Sequence, residues 1–210
     1  MKNKDICEKL DIMVPDAKCE LIYNHDYELL IAVMLSAQCT DKRVNMVTSS
    51  FFKNRTLKDI SKMDIKDIEK EIYSLGSYTK KAKYIKEIAV RLLNDYDGFV
   101  PNNREYLENL PGIGHKSCNV FLAEIYNEPT IAVDTHVERV SKRLEIVDKN
   151  DNIKEIEHKL EKKFAKKDYN RINHQLVLFG RYICKAVKPE CDKCLFNCKY
   201  KKVLSIKNIS

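Results

Sequence analysis

Residues that interrupt helices are scarce in this 210-residue chain, which has five glycines and five prolines. Connections between its elements must therefore be short. Long apolar runs are missing as well. The longest, "LLIAVML" at Leu29–Leu35, falls far short of the roughly 20 residues that a membrane span needs. The N-terminal "MKNKDICEKL" lacks the apolar stretch of a secretory signal. A soluble, cytoplasmic protein with no membrane partner is expected. No segment is of low complexity, none is tandemly repeated, and no window alternates with period 2 for long enough to make a strand. The apolar fraction of 44% excludes a disordered chain. Lys and Arg number 38 against 31 acids, a net charge of +7. That excess suits a nucleic-acid partner, whose phosphates it would neutralise, and equally suits a solvated surface.

Helical periodicity runs through most of the sequence. Ile65, Ile68, Ile72 and Leu75 mark one apolar stripe, and Ala82, Ile85, Ala89 and Leu92 a second. Ile153, Ile156, Leu160 and Phe164 mark a third, and Ile172, Leu176, Phe179 and Ile183 a fourth. Steps of three and four put each set on one helix face. The expected fold is all-α, with about ten helices. "ELLIAVMLSAQ" (Glu28–Gln38) is apolar nearly all round, so it reads as a helix at the centre of a domain. Thr40 or Asp41 can cap the helix that follows. "NEPTIAVD" (Asn127–Asp134) has no helical pattern and is the candidate crossing between two lobes.

In "ENLPGIGHKSCNVFLAEI", Pro111 and Gly112 stop one helix, and a second starts just after Gly114. Both glycines permit positive φ and close approach of another backbone. The free N–H groups of the second helix form a phosphate site, or the turn is a plain helix–turn–helix corner. Lys116 lies in the first turn of that helix, where the dipole disfavours a cation and favours the neutral, nucleophilic amine. A solvated surface lysine fits the same position. In "VDTHVERVSKRL", Asp134 stands just before a stripe of Val137, Val140 and Leu144. It is an N-cap, or a carboxylate held toward a reacting centre, able to take a proton or stabilise a cationic sugar.

Four of the eight cysteines, Cys184, Cys191, Cys194 and Cys198, fall within fifteen residues. In a cytosolic protein such a group is expected to bind metal or be redox-active rather than form disulfides. Zinc and an iron–sulfur cluster both accept four thiolates, and spacing alone does not separate them. Cys7, Cys19, Cys39 and Cys118 are scattered and read as structural or incidental.

Five motifs in order, "ELLIAVMLSAQCTD", "YTKKAKYI", "LPGIGHKSCNVFL", "PTIAVDTHVERVSKRL" and "GRYICKAVKPEC", resemble the endonuclease III family of helix–hairpin–helix DNA glycosylases. The resemblance spans roughly residues 20–200. It implies a two-lobed helical fold: a barrel lobe at 22–131 with the hairpin, and a second lobe of 1–21 and 132–210 with a [4Fe–4S] cluster. It implies a cleft between the lobes as the active site. The implied partner is double-stranded DNA carrying a damaged base or an abasic site, bound by a monomer in the cytoplasm or on the nucleoid. The implied activity is base-excision repair: removal of oxidised pyrimidines, then abasic-site lyase cleavage by β-elimination. An adenine- or mismatch-specific glycosylase, and a non-catalytic iron–sulfur DNA-binding protein, are the alternatives.

Residue by residue, the resemblance implies that Lys116 attacks C1′ to form a Schiff base, with Asp134 assisting. The target base must leave the stack to be reached, and Gln38 would fill the gap. Gly112, Gly114, His115, Lys185 and Lys188 would contact DNA; His115 stands where arginine is common in the family. Ser77 occupies the family's apolar wedge position, so Leu75 is the expected insertion. His136 is expected to be a local hydrogen-bonding residue. The family's cluster spacing is C-x6-C-x2-C-x5-C. Cys184, Cys191 and Cys194 match it, while Tyr200 stands at the fourth position and Cys198 is the expected fourth ligand.

Overall fold

The structure is a computed structural model that describes residues 3–201. Residues 1, 2 and 202–210 of the expected second lobe lie outside the described residues. Eleven α-helices, and no strand, occur among the described residues. In order they are α1 (Asn3–Met13), α2 (Asp26–Leu35), α3 (Asp41–Phe51), α4 (Leu57–Lys62), α5 (Ile65–Glu71), α6 (Tyr78–Tyr96), α7 (Arg104–Glu108), α8 (His115–Tyr126), α9 (Thr135–Arg143), α10 (Ile153–Lys163) and α11 (Tyr169–Tyr182). None is long and apolar enough to cross a membrane.

The chain divides into two compact units. One is Glu20–Tyr126; the other joins the residues up to Cys19 with those from Asn127 onward. The boundary falls after Tyr126 and not after 131, for a physical reason. Ile131 and Val133 belong to the core of the second unit. The Thr130 and Ala132 N–H groups donate to Asn170 and Asn173 of α11 at 3.2 and 3.0 Å.

In the first unit, α2 is buried on every side, from Leu29 to Leu35. Helices α3, α6 and α8 pack against it. Thr40 caps α3, accepting the Arg43 N–H at 3.3 Å. Thr56 and Asp59 form a reciprocal capping box at α4, and Asp64 and Asn103 cap α5 and α7. Each cap meets N–H donors that the first turn of a helix leaves unpaired.

In the second unit, α9 lies against α11, with α1 and α10 completing the core. Val137, Val140, Ile172, Leu176 and Phe179 are among its buried residues. A Cβ at Gly180 would stand 2.9 Å from the His136 Cβ and 3.0 Å from a Val140 methyl. Glycine there sets the close packing of α11 on α9.

The turn between α7 and α8 needs one of its two glycines for the fold. Gly112 has φ of +80°, and a Cβ there would meet Tyr84 at 2.6 Å and Met34 at 2.9 Å. Gly114 lies outside the left-handed region, and a Cβ there would meet nothing within 4 Å. Gly112→Ala should cost about 2–3 kcal/mol in urea unfolding, from backbone strain plus overpacking. Gly114→Ala should stay within about 1 kcal/mol.

Candidate functional site

The α7–α8 hairpin is held by a polar network. Arg104 Nη1 donates to Glu108 Oε1 at 3.0 Å and to Asn119 Oδ1 at 2.8 Å. Since arginine only donates, Asn119 turns its amide nitrogen toward His115 Nε2, 3.3 Å away. Nε2 is then the acceptor, and the ring proton sits on Nδ1, 3.2 Å from Glu108 Oε1. Burial pushes the Glu108 carboxyl up, but hydrogen bonds from Arg104 and His115 outweigh it and hold it below the usual range. His115 thus braces the hairpin while 56% of its side chain stays exposed. One residue on, Lys116 is exposed and makes no hydrogen bond or ion pair among the described residues. Gly114 precedes the helix; its carbonyl accepts the Cys118 N–H at 2.9 Å, and it has no side chain with which to cap.

Asp134 is the N-cap of α9. Its Oδ1 accepts from the His136 and Val137 N–H groups, both at 2.8 Å. Its Oδ2 has no partner among the described residues, and the side chain is half-buried. His136 Nδ1 accepts from Arg139 Nη2 at 3.1 Å, a local hydrogen bond of the expected kind.

Gln38 and Ser77 are exposed and share an uncommon backbone. Their φ values are +59° and +57°, the left-handed region that non-glycine residues rarely enter. Ser77 is the N-cap of α6, yet its side chain accepts no cap hydrogen bond. Leu75 corrects the expectation that it inserts into DNA. It is fully buried, so insertion would pull an anchored side chain out of the core. Nearby, Tyr73 is 67% exposed and its ring lies 4.8 Å from that of Tyr78.

The four clustered cysteines are all half-buried. Cys184 follows α11, its N–H donating to Phe179 O at 2.7 Å. Cys191 opens a 3₁₀ turn, Cys191–Lys193, and Cys194 closes it. Two arginines of α9 hold this segment. Arg139 donates to Gly180 O at 2.7 Å and to Cys184 O at 3.1 Å. Arg143 donates to Lys185 O at 2.7 Å and lies 3.5 Å from Cys184 Sγ, with its guanidinium 3.9 Å from the Tyr200 ring centre. Lys185, an expected DNA contact, pairs with Glu190 at 2.6 Å. Hydrogen bonds from Lys185 and Lys193 pull the Glu190 carboxyl down to about 2. Lys188 is exposed, with φ of +51°.

The family described as HhH-GPD superfamily base excision DNA repair protein matches residues 31–166. Endonuclease III of Bacillus subtilis is 43% identical over 196 residues, 92% of this chain and 90% of that protein. The chain belongs to the endonuclease III family. It is a base-excision-repair DNA glycosylase. A solved non-covalent endonuclease III–DNA complex matches it with a TM-score of 0.93, 40% identity and coverage of 98% and 99% of the two chains. A trapped endonuclease III–DNA covalent intermediate matches with a TM-score of 0.91 at the same identity and coverage.

The cysteine loop offers four thiols as possible metal ligands. Among the described residues, no three His, Cys, Asp or Glu side chains converge closely enough to hold one metal ion. Burial raises the Cys191 and Cys194 thiols, and the charges of Cys184 and Cys198 raise them further. Cys184, Cys194 and Cys198 all pack on one apolar core.

Three features escaped the sequence reading: Arg139, Arg143 and Lys81. The arginines sit one helical turn apart behind Asp134, a spacing that pointed to one shared face. Lys81 sits beside Ala82 at the start of an apolar stripe, which was its only signal.

Burial lowers the His136 imidazole below its ordinary value. A His depressed in the folded state contributes stability that is present above its unfolded value of roughly 6.5 and is lost as pH falls below it. His136→Gln should therefore flatten the acid side of the stability profile. Urea midpoints for both proteins between about pH 8 and about pH 5 check this; parallel profiles would contradict it.

Proposed function

We propose that this glycosylase removes oxidised pyrimidines and cleaves the resulting abasic strand, with Lys116 as nucleophile and Asp134 as the assisting carboxylate. The carrying observation is Lys116 itself: exposed, without a partner among the described residues, and in the first turn of a helix that starts at a glycine. A lysine so placed gains nothing from the helix dipole and is tied to no carboxylate, so its amine is open to attack an electrophile. Nζ attacks C1′, the glycosidic bond breaks, and the base leaves with the bonding electrons and a proton. The sugar ring opens to a Schiff base on Lys116. Loss of a C2′ proton then expels the 3′ phosphate by β-elimination.

Asp134 suits the other role. Two N–H groups fix one carboxylate oxygen and leave the second free. That oxygen can accept a proton or face the positive charge that develops on the sugar. The partner is double-stranded DNA with a damaged base or abasic site, and the protein acts as a monomer. Gln38 fills the gap after base flipping, and Ser77 stands at the wedge position of the family. The hairpin meets the backbone through the open starts of Gly112, Gly114 and His115, and Lys188 and Lys185 meet phosphates. Gly114 supports this, because nothing inside the protein requires a glycine there.

Cys184, Cys191, Cys194 and Cys198 hold the [4Fe–4S] cluster. When bound, it cross-links the loop that carries Lys185 and Lys188. Arg139 and Arg143 already tie that loop to the helix that begins at Asp134.

Borohydride trapping on abasic DNA tests the nucleophile. Wild type should form a covalent adduct and Lys116→Ala should not; an undiminished adduct in Lys116→Ala sinks the proposal. Asp134→Asn should slow base release by about a hundredfold or more. For the cluster, purified wild type should contain iron and acid-labile sulfide in equal amounts, with a brown absorbance band. Cys198→Ala should lose both, and full retention would remove Cys198 from the ligand set.

A further inference from the structure

Lys81 lies in the first turn of α6 and is only 5% exposed. No carboxylate pairs with it among the described residues. Burying an ammonium is costly, and an apolar side chain of equal length would fill the space without that cost. Its three protons have three acceptors. Nζ donates to Leu35 O and to Ala37 O, both at 2.9 Å, and lies 3.6 Å from Cys39 Sγ. Those acceptors come from alternate residues, 35, 37 and 39. The chain past the end of α2 therefore wraps around the ammonium. The residue between the last two acceptors is turned away from it: Gln38, exposed and left-handed.

The backbone N–H of the same residue donates to Ser77 O at 3.0 Å, the ordinary first-turn bond of α6. The left-handed conformation of Gln38 persists only when its surroundings over-determine it, and the Lys81 side chain supplies three of those contacts.

We infer that Lys81 is a positioning residue for DNA repair by this protein. It holds the Ala37–Cys39 turn so that Gln38 is presented outward to the strand opposite the lesion. This rests on the proposed gap-filling role of Gln38. The end of α2, with its partial negative charge, supplies the electrostatic partner that a carboxylate would otherwise provide.

Lys81→Met and Lys81→Arg test it, each first checked for cooperative thermal unfolding. In the free protein, iodoacetamide should alkylate Cys39 roughly tenfold faster in Lys81→Met, since the charged hydrogen bonds that close the turn are gone. A duplex with 2-aminopurine opposite a tetrahydrofuran abasic-site analogue reads gap filling. Its fluorescence change on saturation should fall in Lys81→Met to the level of Gln38→Ala, and the double variant should lose nothing more. Lys81→Arg keeps the charge but replaces a compact ammonium with a planar fork, so it should fold and still show the Gln38→Ala fluorescence. Wild-type fluorescence in a folded Lys81→Arg, multiplicative losses in the double variant, or an unchanged Cys39 alkylation rate in Lys81→Met would overturn the proposal alone. If Gln38→Ala itself leaves the fluorescence unchanged, the gap-filling role falls, and the proposal falls with it.

Discussion

Every helix begins with N–H donors that have no partner inside it, and the way this chain meets them organises both fold and site. Thr40, Thr56, Asp64, Asn103, Asp134 and Asn152 accept them with side-chain oxygens. Two starts are handled differently. Ser77 precedes α6 in a left-handed conformation without a cap bond, and Gly114 precedes α8 with no side chain at all. His25 and Asp168 also make no cap bond, but Glu28 folds back on the Asn24 N–H and α11 continues straight from a 3₁₀ turn. The open starts of α6 and α8 carry Ser77 and Lys116, two residues of the proposed site. An uncapped helix start is an anion site, which suits a partner that is a chain of phosphates.

The opposite ends of helices obey the mirror rule, and cations meet their carbonyls. Lys81 closes the end of α2, whose residues Leu29 to Leu35 are all buried. Arg139 and Arg143 meet the carbonyls at and after the end of α11. Helix α9 therefore serves twice within its unit. Its start orients Asp134, and its far end grips the segment that opens the cysteine loop. Arg143, stacked on Tyr200, ties the two ends of that loop to a single guanidinium.

The all-α class and the stripes were legible because burial on one helix face imposes a period that a sequence displays directly. Ile172, Leu176 and Phe179 are buried in α11 as their spacing required. Leu75 carries the instructive error. It continues the stripe of Ile68 and Ile72, and that stripe already placed it inside. Assigning it to DNA set a family position against the period, and the period won, because an anchored core side chain cannot also serve as a free wedge. Asp134 shows the reverse: its spacing implied a cap, and capping fixes one oxygen while leaving the other without a partner among the described residues.

The sequence by itself determined the helices, their polar caps, the glycine turn and the ordered motifs that identify the family. All of these depend on neighbours a few residues apart, and such distances are written in the chain. Tertiary structure alone decided the fate of three cations. Lysine and arginine read as surface residues, and only distant carbonyls can make burial tolerable for them. Lys81 finds its carbonyls more than forty residues upstream, and Arg139 and Arg143 find theirs about as far downstream. Folding brings those acceptors within reach, and no local pattern announces them.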